Sequence, residues 1–378
     1  MRNSRNAASS TSKPWKRQTA TVAASAAATG GYLYLREHPE IAGRFGEPKK
    51  LFGFAGGEKE GFLANGRVHD LLERRFGLVL DARRAGSVEM VRERALLDQH
   101  PQFLWPSSSV LVEVARSSGL KPSRDQVIFT SPIVLYSWDR IADGLVKGGF
   151  AEPAGGPRYT VDLLKLLKAV IAGESWIALG VPDLFGRARV VSTDPTKSNS
   201  GFMFAGLAAN LLSGDVVTLD TLGRVDGDVA TIFRRMGFKP SSSGKLFDDY
   251  VAGGAGAQPL VVGYENQLVE WVMQDPDRWK RLEASAPAKP VMLYPRPTVL
   301  SAHPLISLVR EADELVDALT NEAMLELAWE DHGFRGPLGT IGKTKSVLLH
   351  TRMLDAINAV LPMPEAGPMM ALIDHSAA

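Results

Sequence analysis

The residues best placed to do chemistry lie in Thr193-Asp194-Pro195-Thr196-Lys197-Ser198-Asn199-Ser200-Gly201, a polar turn running into an apolar stretch from Phe202. Such a turn suits an anion. Ser198 or Ser200 can cap the helix that follows, free backbone N–H groups face outward at its start, and Lys197 adds a full charge where the helix dipole already favours negative groups. The same residues also make an ordinary N-cap on a surface turn, a common use of Ser, Asn and Pro. Two further loops share this layout, Gly56-Gly57-Glu58-Lys59-Glu60-Gly61 and Ala85-Gly86-Ser87-Val88-Glu89. Each is a polar, glycine-containing turn after a short apolar run, the place where open α/β sheets bind ligands. Glu58 and Lys59 equally fit solvated first-turn charges, and Ser87 a helix cap.

Other chemistries lack support in the sequence. Gly339-Thr340-Ile341-Gly342-Lys343-Thr344 resembles a phosphate-binding loop, but Pro337 stands where that motif needs its first glycine. Seven histidines form no HExxH or HxxxH pair, so no helical zinc site is expected and no metal or cofactor is assigned. There is no G-x-S-x-G nucleophile elbow. With 0 cysteines, disulfides, thiolate metal sites and thiol catalysis are excluded.

The elements that position these loops follow an α/β pattern, short apolar runs alternating with amphipathic stretches. Strands are expected at Leu51 to Ala55, Leu78 to Ala82, Gln126 to Leu135 with a break at Pro132, Ala188 to Thr193, Leu260 to Val262 and Val291 to Tyr294. Helices are expected at Val68 to Phe76, Val88 to Leu97, Val110 to Arg116, Val161 to Ala172, Phe202 to Leu212 and Asp228 to Met236. Two long helices are expected from Leu305 to about Glu330 and from Ser346 to Leu361, and Gly253 to Gly256 reads as a glycine-rich loop. The 378 residues suffice for two domains, and 45% hydrophobic with 22% charged residues is globular composition. A net charge of +1 offers no field for nucleic acid.

Residues 1–50 form a basic tail. Arg2, Arg5, Lys13, Lys16 and Arg17 precede 18 uncharged residues, Gln18 to Leu35, with Ala26-Ala27-Ala28 as a small-residue cleavage site and Tyr32 and Tyr34 at an interface. A positive flank before an apolar stretch is the layout of a secretory signal or an uncleaved anchor, so the body is expected outside the cytoplasm, periplasmic or held at the inner membrane.

Taken in order, Gly56 to Phe62, Ala85 to Met90, Trp105-Pro106-Ser107-Ser108, Phe129 to Val134, Thr193 to Gly201, Tyr264-Glu265-Asn266-Gln267 and Tyr294 to Thr298 resemble the type II extracytoplasmic solute-binding proteins, receptors of ABC-type uptake systems. The resemblance implies two α/β lobes, each a mostly parallel sheet flanked by helices, joined by two hinge crossings and closing on a small polar or charged solute. The crossings would be Phe129 to Val134 and Val262 to Asn266, giving lobe one as residues 51–130 with 265–378 and lobe two as 131–264. Carried onto this chain, the ligand-facing residues are Gly57, Glu58 and Lys59, then Gly86, Ser87 and Glu89, then Ser107 and Ser108. Lobe two adds Thr193, Lys197, Ser198, Asn199 and Ser200, with Tyr264 and Asn266 at the hinge. The implied partners are a small solute, with an oxyanion among the candidates, and an ABC permease or membrane sensor, with a monomeric body, no catalytic residues and no cofactor. Without a cysteine the lipid attachment of many relatives is impossible. Glu58, Glu60, Glu89 and Glu265 mix with Lys59 and Lys197, which leaves a zwitterion, a cation or an oxyanion open. Two rival readings are an interaction module with a vestigial cleft and an enzyme on the same scaffold, with Lys197 or Glu58 as acid or base.

Overall fold

A computed structural model describes residues 47–156, 158–343 and 353–377. The stretch 18–35 therefore lies outside the described residues. Among those described, the strands are β1 (Lys49–Ala55), β2 (Leu78–Arg84), β3 (Phe103–Trp105), β4 (Arg124–Trp138), β5 (Ala151–Pro153), β6 (Tyr159–Val161), β7 (Val261–Tyr264), β8 (Pro290–Pro295) and β9 (Leu300–Ser307). They form two α/β layers around one long strand. In the first sheet the order is β2-β1-β3-β9-β4, with β2, β1 and β3 parallel and β9 antiparallel to both its neighbours. In the second, β7 and β8 flank the far end of β4, and β6 and β5 follow beyond β8.

Strand β4 joins the sheets. Its 15 residues reach about 50 Å at 3.3 Å per residue. Arg124 to Pro132 pair with β9, while Ile133 to Tyr136 pair with β7 and Leu135 to Trp138 with β8. Pro132 does not interrupt the strand as expected. It sits at the changeover between partners, where a missing ladder N–H disturbs the pairing least. The β8–β9 connection runs beside it, through the cis Arg296-Pro297 peptide.

Alternation along the strands divides the core. From β1 and β3, Leu51, Ala55, Phe103 and Trp105 face a cluster with Phe62, Phe129, Leu315 and Met324. Phe54 and Leu104 face a larger cluster that continues through Val88, Leu111 and Phe202 into the second sheet. That is the period-2 reversal of a pleated strand.

Five expected elements change. The helix at Val88 to Leu97 divides at the extended Glu93 into Ser87–Arg92 and Arg94–Leu97. Ala188 to Thr193 forms only a bridge from Val191 to Val261, beside β7. The expected helix from Leu305 starts as strand β9, because Leu300–Ser307 is paired with β3 on one edge and β4 on the other, with Pro304 beside a bulge opposite Val127. Helices then occupy Asp313–Leu319 and Glu322–His332, separated by the Asn321 cap. Gly253 to Gly256 lies inside helix Ser243–Ala257, whose kink falls at Gly254 with φ 69°. Of the expected helix at 346–361, residues 353–361 are not helical and 346–352 lie outside the described residues.

The C-terminal helix Ala366–Ala377 packs against Asn199–Ser213, Asp226–Met236 and Val110–Ser117. Asp374 meets Arg92 at 3.3 Å. One element thus touches structure built on both sheets.

Candidate functional site

The loops after β1 and β2 meet two helix N-termini from the other layer. Between them lies a cleft of about 220 Å³. Gly57, Glu58, Ser87, Glu89, Ser198 and Asn199 line it, six of the fourteen residues expected from the sequence, together with Gly86. Arg84 and the run Ser241-Ser242-Ser243 line it as well and were not foreseen. Helices Asn199–Ser213 and Ser243–Ala257, each 15 residues long, begin at this wall, so their free N–H ends and positive dipole ends meet the cleft.

The layers are hydrogen-bonded across the cleft. Val88 N donates to the Lys197 carbonyl at 3.3 Å, and Arg84 donates to Ser242 Oγ. Asn199 Nδ2 donates to the Ser107 carbonyl at 2.7 Å and lies 3.1 Å from Tyr264 Oη. A Cβ on Gly86 would stand 2.3 Å from the Lys197 carbonyl oxygen. Only glycine allows this approach.

Beneath the cleft is a buried polar cluster. The Lys59 ammonium donates to Glu58, to Ser107 Oγ at 2.8 Å, and lies 3.2 Å from His303 Nδ1. Ser107 Oγ also donates to Glu58. Lys59 and His303 have no exposed surface. Burial alone would raise the Glu58 pKa, but Lys59 and His303 overcome it and hold the carboxyl well below the usual range. Burial pulls Lys59 down, with Glu58 opposing. Burial first and the Lys59 charge second lower His303 to about 4, leaving it neutral at pH 7. Burial pushes the Tyr264 hydroxyl well above its ordinary value.

The other expected residues lie off the cleft wall. The Lys197 side chain is exposed, and that residue reaches the cleft region through its carbonyl. Its position in the turn is what turns it away. Thr193 Oγ1 and Ser200 Oγ pair at 2.7 Å, and Thr193 accepts from Gly201 N, so this pair caps the helix. Ser108 Oγ accepts from Val110 N. Asn266 is buried, with its backbone N–H on Ser131 Oγ and neither polar side-chain atom partnered. Trp105 packs against Phe62 and Phe129. At the junction of the sheets Arg335 holds Glu265 through Nε at 2.6 Å and Nη2 at 2.9 Å, with Tyr294 donating to the same carboxylate at 2.5 Å.

No protein-family model matches the sequence, and no curated protein matches it. Solved structures do. The sulfate-binding protein SubI from Mycobacterium tuberculosis H37Rv is 16% identical, with 86% of this chain and 97% of that one covered and a TM-score of 0.51. The periplasmic binding protein AfuA from Actinobacillus pleuropneumoniae, with exogenous fructose-6-phosphate bound, is 12% identical over 86% and 96%, TM-score 0.55. Apo ferric ion-binding protein A from Pasteurella haemolytica is 11% identical over 86% and 95%, TM-score 0.53.

The fold is that of the type II periplasmic binding proteins. Within this periplasmic-binding-protein fold, the cleft lies at the carboxyl ends of β1 and β2, where the two layers face each other. Among the described residues no group of three His, Cys, Asp or Glu is placed to hold a metal, and no helix is long and apolar enough to cross a membrane. Arg84 was missed because the strand that ends there was expected to stop two residues earlier. Ser241 to Ser243 repeats the Ser/Asn turn chemistry of Ser198 to Ser200 just after Pro240.

Proposed function

We propose that the protein is an extracytoplasmic solute receptor that captures a small anionic solute between two lobes and hands it to a permease or membrane sensor. The lobes are residues 51–130 with 265–378, and 131–264, with β8 lent to the second sheet. Residues 18–35 export or anchor the body. The observation that carries this reading is a polar cleft walled from both layers, with helix N-termini and serines on one side and Arg84 on the other. Sulfate and fructose-6-phosphate, named for two of the structural neighbours, are both oxyanions. Closure stores the difference in affinity between closed and open states, which is the only free energy a ligand can use to signal.

A thermal-denaturation panel on the full chain against oxyanions, organic acids, amino acids, polyamines, sugars and divalent metals tests this. Binding at 100 times Kd adds about 2.7 kcal/mol, enough to raise the midpoint by several degrees. An anion should do so, and Arg84→Ala should remove the shift. A panel silent in every class overturns the receptor reading in favour of an interaction module; a shift from polyamines or metals alone overturns the anion.

A further inference from the structure

We propose that the loop from Ser175 to Arg187, on the second layer, is a membrane-contact tip that sets Ile177 and Phe185 into an anionic phospholipid surface. The inference rests on the receptor reading above only for the presence of a bilayer beside the body, and the loop is separate from the solute cleft. Two observations carry it.

The first is an apolar pair held in water by a packed base. Ser175 and Arg187 form an antiparallel bridge and Trp176 N donates to the Gly186 carbonyl at 3.2 Å, which puts Ile177 and Phe185 one step further out, on the two arms of the turn. Trp176, Leu179 and Val181 point the other way and are buried in the larger core cluster. Helix Asp139–Lys147 comes so close that a Cβ on its Gly144 would stand 2.8 Å from the Gly180 carbonyl oxygen. The turn is therefore fixed to its layer, and yet Ile177 is 57% and Phe185 88% exposed.

The second is charge. Arg187 and Arg189 are exposed while Ala188 and Val190 are buried, an alternation that turns both arginines to solvent on one side. A Cβ on Gly173, the cap of helix Leu163–Ala172, would stand 2.8 Å from Arg235 Nη1 and 3.2 Å from Arg187 Nη1, so two guanidinium groups lie side by side. Arg235 donates to the Ile171 carbonyl at 3.0 Å, and the negative end of that helix steadies the pair. Among the described residues no carboxylate is within ion-pair distance of Arg187, Arg189 or Arg235. Asp183 is already matched by Arg140 at 2.5 Å, which leaves Glu174 as the one other acid on the arms of the loop.

A lipid surface fits these features better than a folded partner does. A specific protein interface buries about 800 Å² on each side around a packed centre, which two side chains on a projecting turn do not supply. A bilayer needs only apolar side chains that reach the acyl boundary and cations at headgroup height. Ile177 and Phe185 supply the first, and the three arginines the second.

The chain has 0 cysteines, so Ala178→Cys carries an environment-sensitive NBD fluorophore beside Ile177 and leaves both apolar side chains in place, with Asp70→Cys as the control on the first layer. Both positions are exposed. In the full chain, the label at position 178 should brighten at least about threefold on vesicles of phosphatidylcholine with phosphatidylglycerol and stay within about 1.5-fold of its value in buffer on phosphatidylcholine alone, while the label at position 70 responds to neither. Phe185→Ser should remove most of the brightening, and Arg187→Glu with Arg189→Glu should raise the vesicle concentration needed for it by at least about tenfold. A label at position 178 that stays dark, an equal response at position 70, an equal response on phosphatidylcholine alone, or variants that respond like the parent each overturn the membrane tip. None of these results touches the receptor reading, which stands or falls on the solute panel.

Discussion

Three buried groups beneath the cleft set how the protein responds to pH and to loss of a charge. Lys59 is the cation that lets Glu58 remain ionised without solvent. Lys59→Met strands that carboxylate, and removing one partner of a buried pair costs about 3–5 kcal/mol, to be read as a lower urea midpoint at pH 7. His303 acts in the opposite sense. It faces Lys59 and Glu58, with Ser301 at 3.4 Å and the rings of Tyr264 and Phe334 around it. Its pKa is lowered from 6.5 to about 4, so the unfolded chain takes up a proton that the folded one refuses. Stability is therefore unaffected above about pH 6.5, falls as the pH drops below that value, and levels off below about 4, a loss of about 3 kcal/mol from this group. Glu58, held low, adds its own loss as the pH falls through the ordinary carboxylate value near 4.5, where the unfolded chain takes up a proton that the folded one refuses. Urea unfolding at pH 7, 5.5 and 4.5 measures the slope, and His303→Gln should flatten the part above pH 4.5. An unchanged slope in that variant would remove His303 as its origin.

At the scale of elements, strands β1, β2 and β7 and the helix Gly66–Phe76 after β1 were legible because each has an apolar period and a turn signal at its end, whereas the helix Glu265–Gln274 after β7 was not expected. The reversal into β9 was hidden, since Leu305 to Ser307 look like the start of the helix that follows until Pro304 is placed in a ladder. The site divides in the same way. Loops 57–58, 87–89 and 198–199 were found from local composition, whereas Lys197 needed its turn geometry and Ser241 to Ser243 needed the contact between layers. Gly86 shows that contact most directly. Its hydrogen atom faces the Lys197 carbonyl, so Gly86→Ala should hold the two loops apart, break the Val88 to Lys197 hydrogen bond and reduce affinity for the bound solute. Gly86 is the N-cap of the helix that starts at Ser87, where alanine is less favourable than glycine, and the group it would displace is backbone, so the thermal midpoint without solute should fall as well. A variant with wild-type affinity would mean that this approach is not part of the binding-competent state.

For the whole molecule, the closure proposed above depends on how few elements cross between the layers. Strand β4 and the β8–β9 connection run side by side between the sheets, whereas the second crossing was expected at Val262 to Asn266, and the C-terminal helix touches helices on both layers and ties Asp374 to Arg92. That exposed ion pair contributes at most about 1 kcal/mol. The apolar face carrying Met369, Leu372 and Ile373, all fully buried, does most of the holding. This clasp should favour the closed arrangement even before solute binds. Because the chain has 0 cysteines, Asp70→Cys and Lys245→Cys place one spin label on each layer without a background. Both positions are exposed. The distance distribution should be narrow without solute and hardly change when it is added. Ile373→Asp, which drives a charge into the clasp, should add a longer and broader component that solute then collapses. A broad distribution in the parent chain, or none in the variant, would assign closure to the solute alone and leave the C-terminal helix as packing.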